Sequence, residues 1–402
     1  MPEISKRGQL MPNSPIRKLV PLAEEAAGRG CTVYRLNIGQ PDILTSPNAL
    51  AAIRNLSTNI IDYGHSAGNE SLRRKFAAFY ANIGVKLDYQ DILITTGGSE
   101  AITLTLLTCL NAGDEIIVPE PFYANYFSFA TAADVVVVPV TASIENGFAL
   151  PPFSEFEKKI TPRTRAVIIC NPNNPTGYLY SWHELEQIRD LVKKYNLFFL
   201  CDEVYRELCY DGNSIRSALL LEGIDEHLIL IDSVSKRYSA TGLRVGVLAS
   251  RNRKLLETAL KFCQARLCPP NLGQLAAEAA LDSPPEYNAY VYNEFLARRN
   301  FIVRELNSIP GVYCPTPKGA FYCMVRLPVD DAEKFSMWLL KEFEYNKQTV
   351  MLAPGAGFYT NSGLGRQEVR IAYVLNLVDL KNAMECLRRG LEQYPGREQI
   401  KS

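Results

Sequence analysis

RAVIICNPNNPTGYLYSWHELEQIRDLVKKYNLFFLCDEVY, residues 165–205, decides the fold. It opens on the apolar run RAVIIC (165–170) and closes on a second, LFFLC (197–201), before DEVY. Between them, SWHELEQIRDLVKKY (181–195) places Leu185, Ile188, Leu191 and Val192 on one face at helical spacing. Ser181 offers an N-cap, and Glu184 three residues on completes a capping box. Strand, helix and strand in that order form a βαβ unit, which predicts a parallel sheet. The strands are continuously apolar, not alternating, so both faces are expected to be covered.

Five more runs of the same kind lie on either side: DILIT (91–95), EIIVP (115–119), VVVVP (135–139), HLILI (227–231) and VGVLA (245–249). The fold class is therefore α/β, a mainly parallel seven-stranded sheet with helices on both faces. Beyond about residue 280 the texture changes. A proline pair in SPPEYNAY (283–290) precedes a long helical pattern, and strands at 319–327 and 366–375 flank the helical DDAEKFSMWLLKEFE (330–344). We read residues 45–285 as a large domain, with 1–44 and 286–402 forming a smaller α+β domain.

Composition narrows the function classes. Of 402 residues, 47% are hydrophobic and 21% charged, an ordinary globular balance. Lys plus Arg and Asp plus Glu both number 43, so no net field favours nucleic acid or an anionic membrane. The ten cysteines form no C-x-x-C pair and several sit inside apolar runs, which fits reduced thiols in the cytoplasm. Three histidines far apart in sequence give no metal site. The basic N-terminus lacks the apolar core of a signal peptide, and no run reaches the 18 or so apolar residues of a membrane span.

In a parallel α/β sheet, ligands bind beyond the carboxyl ends of the strands. Four strands are followed there by polar or ionisable clusters: TGGSEA (96–101), NPNNPTG (171–177), DEVY (202–205) and DSVSKRYSATGLRVG (232–246). TGGSEA opens a helix whose free amides suit a phosphate, although alone it is as readily a turn with an N-cap. It matches neither the dinucleotide nor the P-loop glycine pattern, which excludes a nicotinamide dehydrogenase of that type. Asp202, ending a buried strand, needs a cationic or hydrogen-bonding partner. Lys236, just past another buried strand, is a desolvated amine suited to imine chemistry, or else a solvated loop lysine. The S-x-x-K reading of serine acyl-enzymes fails, because K-T-G is absent and S-x-N elements lie only upstream.

NPNNPTG, DEVY and SVSKRYSATGLRVG together resemble the class I/II aminotransferases of the aspartate aminotransferase fold type, over a span from LNIGQPD (36–42) to VRIAY (369–373). At finer grain the chain resembles bacterial aspartate aminotransferases. The resemblance implies pyridoxal 5′-phosphate held by Lys236, with Asp202 on the pyridinium nitrogen and Tyr205 and Asn174 on the ring O3′. It implies Tyr123 stacked on the ring, and the phosphate held by Gly98, Ser99, Glu100 (by its amide), Ser233, Ser235 and Arg244. Tyr63 would reach the phosphate of a neighbouring subunit in a homodimer with shared sites. Arg370, Gly39 and Asn174 would take the substrate α-carboxylate. The implied reaction is ping-pong transfer of an amino group to a 2-oxo acid such as 2-oxoglutarate. For the distal group of an aspartate-like donor, Arg17 and Arg266 are both candidates. An aromatic donor, or a lyase reaction on the same fold, stays open at this level.

Overall fold

A computed structural model describes residues 2–57 and 59–399. Each of the seven apolar runs forms a strand of one sheet. With a short N-terminal strand β1 (Thr32–Arg35) counted first, these are β2 (Ile92–Thr95), β3 (Glu115–Glu120), β4 (Val136–Thr141), β5 (Thr164–Cys170), β6 (Phe198–Asp202), β7 (Leu228–Ser233) and β8 (Gly246–Ala249). Their order across the sheet is β2-β8-β7-β6-β5-β3-β4. All neighbouring pairs are parallel except those of β8, which runs antiparallel to both β2 and β7. The helix Trp182–Tyr195 starts at Ser181 with the expected capping box, and its buried side chains are Leu185, Ile188, Leu191 and Val192.

One expectation fails. The run at 135–139 was read as covered on both faces, yet β4 is the sheet edge, paired only to β3, and Val136 is 47% exposed. Apolarity alone does not separate a central strand from an edge strand, because position in the sheet is set by pairing.

Four further strands lie towards the C-terminus: β9 (Tyr322–Arg326), β10 (Gln348–Met351), β11 (Ala353–Pro354) and β12 (Glu368–Ala372). β11, β12 and β9 form an antiparallel sheet in that order, and β10 pairs in parallel with β1. The helix Ala332–Lys341 lies between β9 and β10, capped by the Asp331 side chain on the amides of Glu333 and Lys334. Residues 30–40 run from β1 towards the mouth of the large sheet, which brings Asn37 and Gly39 to its carboxyl edge. No helix among the described residues is long and apolar enough to cross a membrane.

Candidate active site

A cavity of about 720 Å³ opens where the carboxyl ends of β2, β5, β6 and β7 meet the segment around Gly39 and the strands β9 and β12. Its wall includes Lys236, Asp202, Tyr205, Asn174, Tyr123, Gly98, Ser99, Ser233, Ser235, Arg244, Gly39 and Arg370. Residues more than 300 positions apart are thus gathered in one crevice.

Lys236 sits on the four-residue helix Val234–Arg237, which begins directly at the end of β7. The Ser233 hydroxyl oxygen caps that turn by accepting from Ser235 N at 3.1 Å. Lys236 Nζ donates to Gly39 O at 2.8 Å. Burial lowers its pKa to about 8, and the nearby Arg370 and Arg244 charges act in the same direction, with Asp202 opposing. An amine that is partly neutral near pH 7 to 8 is a nucleophile and a proton carrier. Gly39 also has to be glycine, since a Cβ there would stand 1.7 Å from Tyr322 Oη.

Asp202 is the last residue of β6 and only 4% exposed. Burial pushes its carboxyl up to about 7, against the hydrogen bonds that it accepts from Tyr126 Oη (2.8 Å) and Val204 N (3.2 Å). No ion pair forms on it among the described residues. A carboxylate so placed is completed by a protonated ring nitrogen, whose charge would stabilise the ionised form.

One end of the cavity is built from three elements. Gly98 and Ser99 open the helix Gly98–Cys109, whose first amides have no acceptor within the helix. Ser235 offers a hydroxyl, while the Ser233 hydroxyl lies 2.8 Å from both Val245 O and Ser235 Oγ. Arg244 precedes β8, and because β8 is antiparallel its start lies level with the ends of β2 and β7, Gly246 standing opposite both Thr95 and Ser233. The Arg244 side chain donates to Thr241 O and Thr96 O at 3.0 and 3.3 Å. Amides, a hydroxyl and a guanidinium converging on one spot are the donor set that a phosphate dianion requires.

Arg370, in β12, is 1% exposed and has no carboxylate partner among the described residues. It donates to Asn174 Oδ1 at 3.1 Å and to Asn37 O, and its Nε is buried without a partner. Its guanidinium lies 4.5 Å from the Tyr322 ring centre and 4.9 Å from that of Phe358. A buried cation without a counter-ion is unfavourable until an anion arrives, and its planar fork suits a carboxylate.

Other expected residues lie elsewhere. The Glu100 amide donates to Gly97 O at 3.2 Å, and its carboxylate accepts from Thr96 N and pairs with Arg266 at 3.1 Å. Arg266 also donates to Ile94 O and Ser66 O, so it braces the start of the Gly98 helix from outside the cavity wall. That corrects its candidacy as a reader of the substrate's distal group, for which Arg17 alone of the two lies on the cavity wall. Tyr63 is 81% exposed and apart from the cavity of its own chain.

Two tyrosines escaped the sequence reading. Tyr126 holds Asp202, and Tyr322 meets Tyr205, hydroxyl to hydroxyl, at 3.1 Å. Nothing in the local sequence ties Tyr126, near the start of the helix Asn125–Ala132, to Asp202, 76 residues away. No local signal pairs Tyr322 with Tyr205, 117 residues away.

A lysine amine, a buried carboxylate, free helix amides beside Arg244, and the buried Arg370 around one crevice fit the needs of a pyridoxal-phosphate enzyme acting on amino acids. The chain belongs to the family described as aminotransferase class I and II, whose model matches residues 32–387. It is 32% identical over 97% of its length to an aromatic-amino-acid aminotransferase 2 of Thermococcus litoralis, covering 98% of that protein. It is 31% identical to an aspartate aminotransferase of Pyrococcus horikoshii, covering 97% of each chain. The solved structure of a Thermotoga maritima aspartate aminotransferase superposes with a TM-score of 0.89 at 30% identity, over 97% of this chain and all of that one. The chain is a pyridoxal-phosphate-dependent aminotransferase, transferring amino groups between amino acids and 2-oxo acids.

Proposed function

We propose that this aminotransferase takes aspartate as donor and 2-oxoglutarate as acceptor, in the cytoplasm, with the cavity residues in the following roles. The observation that carries the site assignment is the pairing of the half-buried Lys236 with the fully buried Arg370, two cations facing one cavity without acidic partners of their own apart from the more distant Asp202.

When bound, pyridoxal phosphate supplies the carbon that carries nitrogen between the two acids and the ring that accepts electrons from the substrate Cα. Arg370 grips the α-carboxylate in a bidentate fork, assisted by Asn174, and so orients the Cα–H bond. Lys236 Nζ would hold the cofactor at its carbonyl carbon, and its amine, lowered to about 8 by burial, would move the proton from the substrate Cα as a general base. Asp202, positioned by Tyr126, would pair with the ring nitrogen and keep it protonated. Tyr205 Oη, which meets Tyr322 Oη at 3.1 Å, would donate to the ring O3′. Gly98, Ser99, Ser235 and Arg244 hold the phosphate.

The assembly in this reading is a homodimer. Ile60, Ile61, Tyr63, Leu267, Leu272 and Leu275 are all exposed by more than a third, an apolar group that a monomer would leave in water. Tyr63 stands among them, as a residue crossing to a partner's phosphate site would.

The deciding experiment is a donor panel with 2-oxoglutarate, following glutamate formation; glutamate itself is tested as donor with oxaloacetate as acceptor, following aspartate formation. Aspartate should give the highest kcat/KM. A higher value for phenylalanine or tyrosine would favour the aromatic reading, which three cavity tyrosines (Tyr123, Tyr205 and Tyr322) support. Oxo acid and ammonia formed without an acceptor would point instead to a lyase. Borohydride reduction of the loaded protein followed by peptide mapping should place the label on Lys236; a label on any other lysine refutes its role.

A further inference from the structure

We propose that the buried ion pair between Arg237 and Asp232 is a positioning device for Lys236. It closes the single helical turn that carries the lysine and so aims Nζ into the cavity. This rests on Lys236 holding the cofactor, as proposed above, and adds two residues to that role.

Asp232 and Arg237 flank the lysine in DSVSKR (232–237), and neither lines the cavity. Successive side chains of a strand point to opposite faces, so with Ser233 on the cavity wall Asp232 is turned away from it. The turn Val234–Arg237 is four residues long, too short to persist on helical hydrogen bonding alone. It is held at both ends. At its start the Ser233 hydroxyl accepts from Ser235 N. At its end the Arg237 guanidinium folds back on the strand, where Nη2 donates to Asp232 Oδ2 at 2.9 Å. Lys236 lies inside the ring closed in this way. Among the described residues its Nζ has one hydrogen-bond partner, Gly39 O at 2.8 Å, so its aim depends on the turn beneath it.

The pair is itself fixed. Asp232 also accepts from Ser233 N at 2.7 Å and from Tyr80 Oη, on the helix Glu70–Ala81, at 2.9 Å. Arg237 Nε pairs with Glu207 at 3.3 Å, and the Phe79 ring centre lies 4.3 Å from its guanidinium. Arg206 pairs with Glu203 at 3.0 Å and with Glu207 at 3.8 Å. Glu203 directly follows Asp202, as Arg237 directly follows Lys236. One cluster of charges behind the cavity thus joins the exits of β6 and β7. The energetics favour a geometric role over a stabilising one. The side chains of Asp232 and Arg237 are 0% and 2% exposed. Taking two such charges out of water costs about as much as their attraction returns, so apolar residues of similar volume would serve stability as well. What an apolar contact lacks is direction. Arg237 Nη2 reaches both Asp232 oxygens, at 3.3 and 2.9 Å, and charge-assisted hydrogen bonds of this kind fix one orientation of the turn.

Two forms of the cofactor separate aim from integrity. The Lys236 amine condenses with the carbonyl of pyridoxal phosphate and releases water, whereas pyridoxamine phosphate carries an amine at that carbon and forms no bond with the lysine. Arg237→Met should raise the dissociation constant for pyridoxal phosphate about 10- to 100-fold and change that for pyridoxamine phosphate much less. In the loaded enzyme kcat should fall by about the same factor, with the KM for amino acid little changed. Arg237→Lys should recover part of both losses. Because Arg237→Met strands a buried carboxylate, it is compared with the double variant that also carries Asp232→Asn, in which both charges are gone. The double variant should unfold near the native temperature and still show the selective loss of pyridoxal phosphate. Equal loss of the two cofactor forms in the folded double variant, or loss of neither, overturns the proposal. Borohydride reduction of the native protein keeps the two readings apart. A label on Lys236 without selective loss in the variants strikes the positioning pair alone. A label on another lysine strikes the role of Lys236 and this proposal with it.

Discussion

Asp202 and Lys236 are single residues whose ionisation is set by where the chain puts them, and both give pH signatures. In the protein without cofactor, burial raises the Asp202 carboxyl from 3.8 to about 7. Between those values the folded state binds more protons than the unfolded one, so this group makes stability fall as pH rises from about 4 to 7. Lys236 is lowered from 10.5 to about 8, so between those values the unfolded state binds more protons and stability rises with pH. Thermal unfolding of the cofactor-free protein should show the first slope weakened in Asp202→Asn and the second in Lys236→Met. In the loaded enzyme, Asp202→Ala removes the partner of a buried ring charge and should lower kcat about 10²- to 10³-fold, the range for breaking a buried pair. Tyr126→Phe should have a smaller effect of the same sign, because it removes one hydrogen bond and keeps the carboxylate. Parallel measurements of kcat and cofactor affinity would check both.

At the scale of elements, the start of the helix Gly98–Cys109 is the critical joint. Its first turn leaves the Gly98 and Ser99 amides free at the cavity wall, where we propose the phosphate binds, and the Glu100–Arg266 pair holds that turn against β2 through the backbone of Thr96 and Ile94. Arg266→Met should leave Glu100 without its cation and loosen the cradle. We expect the dissociation constant for pyridoxal phosphate to rise about 10- to 100-fold, measured by equilibrium dialysis, with less change in the KM for amino acid. The helix Trp182–Tyr195 is a control of the opposite kind. Ser181→Ala removes its cap, which is not part of the cavity wall, and should cost about 1 kcal/mol of stability, with kcat/KM unchanged.

At the scale of the whole molecule, the exposed position of Tyr63 sets a test of shared sites. A subunit carrying Lys236→Ala and one carrying Tyr63→Phe, each impaired alone, should form a hybrid in which one site has its own lysine and an intact partner tyrosine. Mixing the two after mild dissociation should restore cofactor affinity at that site, read by fluorescence. No recovery in a confirmed hybrid would separate Tyr63 from the phosphate. Sedimentation should give twice the 45.0 kDa chain mass.

Much of this was legible in the chain itself. Seven runs of continuous apolarity determined seven strands, because a short apolar segment between turn signals has few other ways to be buried. The residues following those runs determined the candidate site, because in a parallel sheet every carboxyl end opens on the same edge. The Ser181–Glu184 cap was readable because its partners are three residues apart. Pairings between distant residues were not readable. That VVVVP forms an edge, that β8 runs against its neighbours and so delivers Arg244 to the phosphate end, and that Tyr126 holds Asp202 all depend on partners outside the local pattern. The same limit applied to the two arginines. Arg17 and Arg266 are both plain cations in the sequence, and only the tertiary structure separated them. It gave Arg266 the nearby carboxylate of Glu100 and left Arg17 at the mouth of the cavity with none. A sequence states which charge a residue carries, whereas the fold decides which opposite charge lies within reach to neutralise it.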